Sequence, residues 1–221
     1  MINITDKVEI AEDVLKFLKE VNDSSTGYDI YLGGGYLRDK YVGKTPKDVD
    51  VFVIPNGEEK DLHIPPRGYN NYIKDASSIS DMQERGVKKV RGDWYSKMST
   101  PDVQFIIYQD PMTIKELAED MDINLCQVMY SAQSGEVLAT EAFITGHFCK
   151  IIECLHDYDT VRTYKRYVRM EDKFYDYHSV GKPELGHFEL ERLAETVEHS
   201  GSFCEEDLQD GIIEQEGVEL W

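Results

Sequence analysis

The chain has 221 residues, 41% of them hydrophobic, and a formal net charge of −19 at pH 7. The apolar share supports a folded core and excludes wholesale disorder, and the length suits one medium domain with at most a small appendage. So negative a charge produces an electrostatic field that repels nucleic acid, which argues against non-specific binding to it. Salt nevertheless screens charges beyond about 8 Å and leaves room for local basic patches. Without a signal-peptide pattern or an apolar run of about 20 residues, we expect a cytoplasmic protein with no membrane span.

The first predicted element is an amphipathic helix over residues 6–22, because apolar side chains repeat at helical spacing from Val8 to Leu18. Asp6 and Glu9 have the spacing of a capping box at its start. The polar run that follows this segment breaks the helix.

Residues 28–54 predict two strands and a helix joined by a glycine-rich turn. A short strand covers residues 28–32, three glycines follow at 33–35, and a helix begins near residue 36. The alternating residues 48–54 predict the second strand.

Downstream of residue 54 a long polar stretch predicts a surface excursion, with helical character near 79–86. The remaining predicted elements are strands at 87–91 and 103–108, a helix at 113–121, a hairpin from 125–131 and 136–140, and a helical region at 146–174 rich in Arg, Lys and Tyr. After Arg192 the chain has no Lys or Arg, which predicts a solvated acidic end.

These elements predict an α/β fold with a small mixed sheet flanked by helices and followed by a short helical appendage. The predicted domains are 1–145 for the main domain, 146–200 for the helical region and 201–221 for the acidic tail.

Asp48 and Asp50 lie on one face of the predicted strand, about 6.5–7 Å apart along the chain. Two carboxylates at that separation can bind divalent ions such as Mg²⁺, which prefers oxygen ligands and often also contacts substrate phosphates. The glycine turn allows phosphate groups to approach backbone N–H groups closely. Each fragment alone is also common in ordinary hairpins and solvated strands, so the combination carries the prediction.

Residues 31–54 resemble the nucleotidyltransferase domain of tRNA CCA-adding enzymes and bacterial poly(A) polymerases, members of the polymerase-beta superfamily. The motif residues present in register are Gly34, Gly35, Arg38, Asp39, Gly43, Pro46, Asp48 and Asp50.

The resemblance implies a polymerase-beta-like fold, with NTP as substrate and Mg²⁺ or Mn²⁺ as cofactor. It assigns Gly34 and Gly35 to the triphosphate, and Asp48 and Asp50 to the catalytic metals. For Arg38 it leaves two roles open, contact with the phosphates or a salt bridge that fixes the turn.

Two weaker parts of the resemblance lie further along the chain. In residues 118–124, Asp120, Ile123 and Asn124 match a nucleotide-side motif, but Ala118 and Glu119 stand where that motif has arginines. The alternative is an ordinary helix-to-strand junction at which Asn124 caps a turn.

The second weak part concerns Asp159 and Arg162, which the resemblance assigns to reading the incoming base. Being three residues apart, they share a helical face and equally suit a surface ion pair. A third metal carboxylate is expected on a neighbouring strand, where Asp102 is the candidate.

The sequence therefore predicts transfer of NMP from an NTP to an acceptor hydroxyl on RNA, protein or a small molecule. Two alternatives stay open: a degenerate domain that regulates a partner protein, and a toxin-like transferase that modifies tRNA or protein. The expected partners are the nucleotide and a short RNA end or tRNA, and the compact chain suggests a phage-like protein.

Overall fold

The computed structural model describes residues 1–57, 69–72, 88–94, 102–108, 110–156, 160–187 and 189. In this part of the chain ten strands form: β1 Ile2–Asn3, β2 Tyr28–Gly33, β3 Asp48–Pro55, β4 Tyr69–Tyr72, β5 Lys88–Trp94, β6 Asp102–Ile107, β7 Val128–Ser131, β8 Val137–Ala139, β9 Ile151–Glu153 and β10 His178–Val180. The α-helices are α1 Glu12–Ser24, α2 Gly35–Tyr41, α3 Ile114–Glu119, α4 Glu141–Cys149 and α5 Thr160–Lys173, and Thr5–Lys7 and Asn124–Cys126 form 3₁₀ helices.

Eight of the described strands form one mixed sheet in the order β1-β8-β7-β2-β3-β6-β5-β4. The β3–β6 pair is parallel and the other pairs are antiparallel. The two remaining strands, β9 and β10, pair in parallel in a small separate sheet. This mixed sheet confirms the predicted α/β class, the strand at 48–54 and the hairpin formed by β7 and β8.

One face of the large sheet is covered by α1, whose Val14, Phe17, Leu18 and Val21 are buried at helical spacing. They pack in the same cluster as every second residue of β3, namely Val49, Val51 and Val53. Burying apolar side chains of this size stabilises the fold by about 1.5–3 kcal/mol each. The alternation of β3 therefore assigns its valines to this covered face.

The predicted start of this helix at residue 6 is wrong. Helix α1 begins at Glu12, and Ala11 precedes it without a capping side chain among the described residues, so the capping box of Asp6 and Glu9 does not form. The upstream chain instead buries Ile4 in the core cluster. That burial explains why the apolar pattern extends beyond the helix.

The opposite face of the sheet is apolar at one end of β3. Phe52 and Ile54 pack there with Met129 and with Leu117 and Ala118 of α3. Thr113 and Glu116 form a capping box that starts α3. Asp48 and Asp50, at the other end of β3, lie on this same face but outside the apolar cluster, which leaves them accessible for polar chemistry.

The predicted helical region at 146–174 needs correction. Helix α4 begins earlier, at Glu141, where the Thr140 side chain accepts a hydrogen bond from the Phe143 N–H at 3.1 Å. It ends at Cys149, and residues 151–153 form β9 rather than helix. Ile152 is fully buried with Tyr167 and Met170 of α5, so its apolar side chain belongs to a strand beneath the helix.

None of the helices in the described ranges is long and apolar enough to cross a membrane. The predicted helical character at 79–86 and the acidic tail at 201–221 lie outside the described residues. The predicted domain division stays a prediction.

Candidate active site

The aspartates predicted to bind metal lie side by side on β3. Asp48 and Asp50 are both partly exposed. Across the antiparallel pairing, Asp50 lies opposite Gly33 of β2. Across the parallel pairing, Asp48 and Asp50 lie opposite Asp102 and Gln104 of β6. The pair is therefore central in the sheet and adjoins the glycine turn.

The glycine turn approaches its neighbours closely. A Cβ atom built on Gly33 would collide with the Met129 sulfur and lie 2.8 Å from the Phe52 ring, so a larger residue does not fit. Gly34 has φ of 61° and ψ of −124°, a backbone conformation that favours glycine. A Cβ built on Gly35 would lie 4.0 Å from Asp48 Oδ1. The turn and the aspartate pair thus form one continuous surface.

Arg38 has the salt bridge that was one of its two predicted roles. Its Nε donates to Asp39 Oδ1 at 2.8 Å, and its Nη1 contacts the sulfur atoms of Cys126 and Met170. Lys173 also binds Asp39, at 2.5 Å. Burial acts to lower the pKa of Arg38, but nearby Cys126 and Asp39 outweigh it and raise the pKa overall. Contact with phosphate stays a prediction for this residue.

The segment 118–124 has the contacts of a structural junction. Asn124 is 1% exposed; its Nδ2 donates to the Ile151 carbonyl at 3.0 Å, and its Oδ1 accepts from the N–H groups of Leu125 and Glu153 at 2.8 and 3.0 Å. These contacts match the capping interpretation. Where the motif has arginines, Ala118 is buried and Glu119 pairs with Lys115 at 3.6 Å.

The functional roles of all the predicted site residues stay predictions, including those of Asp159, Arg162 and Asp102. Asp159 lies outside the described residues, so its pairing with Arg162 of α5 stays a prediction. Asp102 is the backbone partner of Asp48 across β3 and β6, the position expected of a third carboxylate. Its side chain lies outside the described part of the structure, and a role in metal binding stays a prediction.

The sequence did not predict one ion pair, which joins helix α5 to the segment after α3. Arg166 Nη1 of α5 lies 2.9 Å from Asp122 Oδ2, and the two side chains are 30% and 7% exposed. Arg166 stands out in the sequence only as one of several cations on its helix. The pair joins segments that are distant in sequence, so no local pattern could have predicted it.

The site offers carboxylate oxygens as metal ligands. Among the side chains that the structure describes, no group of three or more His, Cys, Asp or Glu residues is arranged to hold a metal ion. Asp48 and Asp50 supply two oxygen-donor groups, which fit Mg²⁺ or Mn²⁺ when phosphate oxygens complete the coordination.

Comparison with known proteins gives structural matches. No protein-family model and no curated protein sequence matches the chain. A tRNA-processing enzyme in an apo form aligns with a TM-score of 0.50 and 17% identity, over 87% of this chain and 49% of that chain. The Thermotoga maritima CCA-adding enzyme in complex with tRNA aligns with a TM-score of 0.50 and 15% identity, over 85% of this chain and 43% of that one. The fold is that of the CCA-adding enzymes.

A third match has the same character: a CCA-adding enzyme in complex with CTP aligns with a TM-score of 0.51 and 14% identity, over 86% of this chain and 44% of that chain. This chain therefore spans about half, or less, of the length of the structures that it matches. At such low identities the likeness to CCA-adding enzymes concerns the fold, which confirms the resemblance at that level.

Proposed function

We propose that this chain is a metal-dependent nucleotidyltransferase that transfers NMP from an NTP to an acceptor hydroxyl, with RNA as the favoured acceptor. One observation carries the proposal: the glycine turn adjoins the aspartate pair, with the position of a Gly35 Cβ 4.0 Å from Asp48 Oδ1. A triphosphate at the turn has its phosphates beside two carboxylates. That arrangement suits a reaction at phosphorus.

The reaction needs little covalent chemistry from the protein. The acceptor oxygen bonds to the α-phosphorus, the bond from that phosphorus to the bridging oxygen breaks, the hydroxyl proton passes to solvent water, and pyrophosphate departs with the electrons of the broken bond. Asp48 and Asp50 would hold the metal ions, and the turn would offer its backbone N–H groups to the phosphates. When bound, Mg²⁺ or Mn²⁺ neutralises charge on the attacking and leaving oxygens.

The choice of donor and acceptor is supported by the proteins that share the fold. CCA-adding enzymes have been solved with CTP and with tRNA. The net charge of −19 opposes a large nucleic-acid footprint, because phosphate contacts dominate such binding. A short RNA end, rather than a whole tRNA, is the acceptor that fits this charge.

A regulatory nucleotide-binding domain without catalysis is the second candidate. The observation that favours it is the loss of two cations: Ala118 is buried in an apolar cluster, and Glu119 is exposed and acidic. Such a domain still binds an NTP but transfers nothing.

The test combines binding with transfer. We expect Mg²⁺ with NTP to raise the melting temperature, because a ligand at 100 times its Kd stabilises the folded state by about 2.7 kcal/mol. Labelled NTP should also enter short RNA. Changing Asp48→Asn together with Asp50→Asn should abolish both effects, whereas Asp176→Asn, a surface control paired with Lys150, should change neither.

Each other outcome has a clear meaning. A thermal shift that survives the double substitution means that the triphosphate binds elsewhere and contradicts the proposal. A shift that depends on both aspartates, without transfer to RNA, protein or small hydroxyl compounds, favours the regulatory domain.

A further inference from the structure

The ion pair between Asp122 and Arg166 connects the segment after α3 to helix α5. Asp122 is 6% exposed and its Oδ2 lies 2.9 Å from Arg166 Nη1. The other carboxylate oxygen, Oδ1, is buried without a hydrogen-bond partner among the described residues. Burial of a carboxylate that has a partner for only one of its oxygens costs free energy of folding. An ion pair of this kind is therefore poorly suited to serve stability alone.

Arg166 lies on the part of α5 that meets the glycine turn through Arg38. Arg38 Nη2 lies 3.6 Å from the position of a Gly35 Cβ, and Arg38 Nη1 lies 3.0 Å from the sulfur of Met170, which follows Arg166 by one helical turn. Burial acts to lower the pKa of Arg166, but Asp122, Cys126 and Asp50 outweigh it and raise the pKa. The Arg166 side chain nevertheless keeps 30% of its surface exposed. Arg166 is thus a cation paired with Asp122, on the part of α5 that meets the glycine turn, with part of its surface open to solvent.

Arg38 is a second arginine in this neighbourhood, and its guanidinium makes more contacts than that of Arg166. Its side chain is 11% exposed, its Nε and Nη2 bind Asp39, and its Nη1 contacts two sulfur atoms. Arg166 is the more open of the two. A triphosphate carries a charge of about −4, so a side-chain cation favours its binding in addition to the metal ions, and the arginine fork suits phosphate oxygens.

We propose that Arg166 donates hydrogen bonds to the phosphate oxygens of the bound NTP, and that Asp122 is the positioning residue that holds the guanidinium in place. This inference rests on the proposed function. It also gives the chain a phosphate-binding cation although Ala118 and Glu119 provide none. The contact is to phosphate and not to the base, so it should be the same for every nucleotide.

The first experiment measures the affinity of the full chain for ATP and for inorganic tripolyphosphate at constant Mg²⁺. We expect Arg166→Gln to weaken binding of both ligands by a similar factor, about tenfold or more, since it removes charge-assisted hydrogen bonds to phosphate oxygens. Arg166→Lys should retain part of the affinity. Arg169→Gln is the matched control: Arg169 lies exposed on the same helix, bonded to the Lys165 carbonyl, and its loss should change neither affinity.

The second experiment separates contact with phosphate from the neutralisation of Asp122. The double variant Asp122→Asn with Arg166→Gln removes both charges, so it should recover the stability that Arg166→Gln alone loses. We expect its affinity for tripolyphosphate to remain weak. This variant also keeps the test valid if Arg166→Gln alone does not fold.

Two results overturn the inference. One is an Arg166→Gln variant that binds both ligands as tightly as the wild type. The other is a double variant that regains wild-type affinity, because Arg166 then serves only to balance the charge of Asp122. In both cases the wild-type chain still binds the NTP through Asp48 and Asp50, and the proposed function stands. A wild-type chain that binds neither ligand overturns the inference and the proposed function together.

Discussion

Two regions of the molecule carry parts of the same sequence resemblance, and they use those residues differently. From β2 to β3 the glycine turn adjoins the aspartate pair, because Gly33 lies opposite Asp50 and a Gly35 Cβ would lie 4.0 Å from Asp48 Oδ1. From α3 to α5 the matching residue Asn124 is buried and bonded to the backbone at three points. The first region keeps Asp48 and Asp50 partly exposed, whereas the second buries Asn124 in contacts that hold the chain together.

The comparison shows that a matched residue does not by itself carry a ligand contact. Arg38 and Asn124 both match the motif pattern, yet both make structural contacts to neighbouring protein groups. Arg166 has no counterpart in the motif, but in the folded chain it lies one helical turn before Met170, whose sulfur contacts Arg38 beside the glycine turn. The position of a charge in the fold therefore decides which cation is available to a substrate.

The largest effect that tests this contrast should come from Asn124→Ala. The substitution leaves two backbone N–H groups and one carbonyl without their partner, and each buried unsatisfied group costs about 1–3 kcal/mol. We expect the free energy of unfolding to fall by about 3–5 kcal/mol in chemical denaturation. Asn56→Ala, which removes an exposed contact to Asp29, should change it by less than about 0.5 kcal/mol. A stable Asn124→Ala variant with lost NTP affinity would make Asn124 a ligand residue and remove the contrast.

The sequence predicted the first region well because its signals are local. Alternation along β3 assigns Val49 to the core and Asp48 to the other face, and the glycines mark the turn without knowledge of any distant residue. The second region depends on contacts between distant segments. The strand at Ile151–Glu153 forms because β10 pairs with it and α5 packs on it, and neither partner is visible in the local pattern.

The Asp122–Arg166 pair was missed for the same reason, as was the start of α1. The apolar residues Ile4 and Val8 continue the helical spacing, but tertiary packing buries them outside the helix. The spacing of apolar residues indicates which side chains are buried, but it does not indicate whether the backbone that carries them is helical.

His147 lies where the two regions meet, and its protonation should loosen that contact. Its ring packs against Tyr41 of α2 and Phe174, and its Nδ1 lies 3.0 Å from Tyr177 Oη. Burial, and secondarily the charge of Arg38, lower its pKa from 6.5 to about 4. Below pH 6.5 the unfolded chain takes up the proton more readily than the folded chain, so stability should fall as pH falls from 6.5 to 4.

The decrease in the free energy of unfolding that protonation of His147 causes should be at most about 3 kcal/mol. One pKa unit corresponds to about 1.4 kcal/mol, and partial exposure of the ring reduces the effect. Denaturation curves at several pH values measure it. His147→Phe keeps an aromatic ring in the contact and should flatten the stability profile between pH 4 and 6.5. An unchanged profile in this variant would show that His147 does not link the two regions by its charge.

The smallest effect on stability should come from Gly34→Ala, and it isolates the role of the turn in the first region. Gly34 has φ of 61° and Gly43 has φ of 72°, and no described atom lies within 4 Å of a Cβ built on either residue. Alanine at either position is therefore strained without a collision, and each substitution should cost about 1–2 kcal/mol of folding free energy.

Only Gly34 adjoins Gly35 and the aspartate pair, so Gly34→Ala should weaken binding of NTP with Mg²⁺ about tenfold or more, while Gly43→Ala should leave it near the wild-type value. Calorimetric titration of both variants, compared at equal stability, measures the difference. Equal losses of affinity would mean that the turn acts through general stability, and the first region would then serve the same structural purpose as the second.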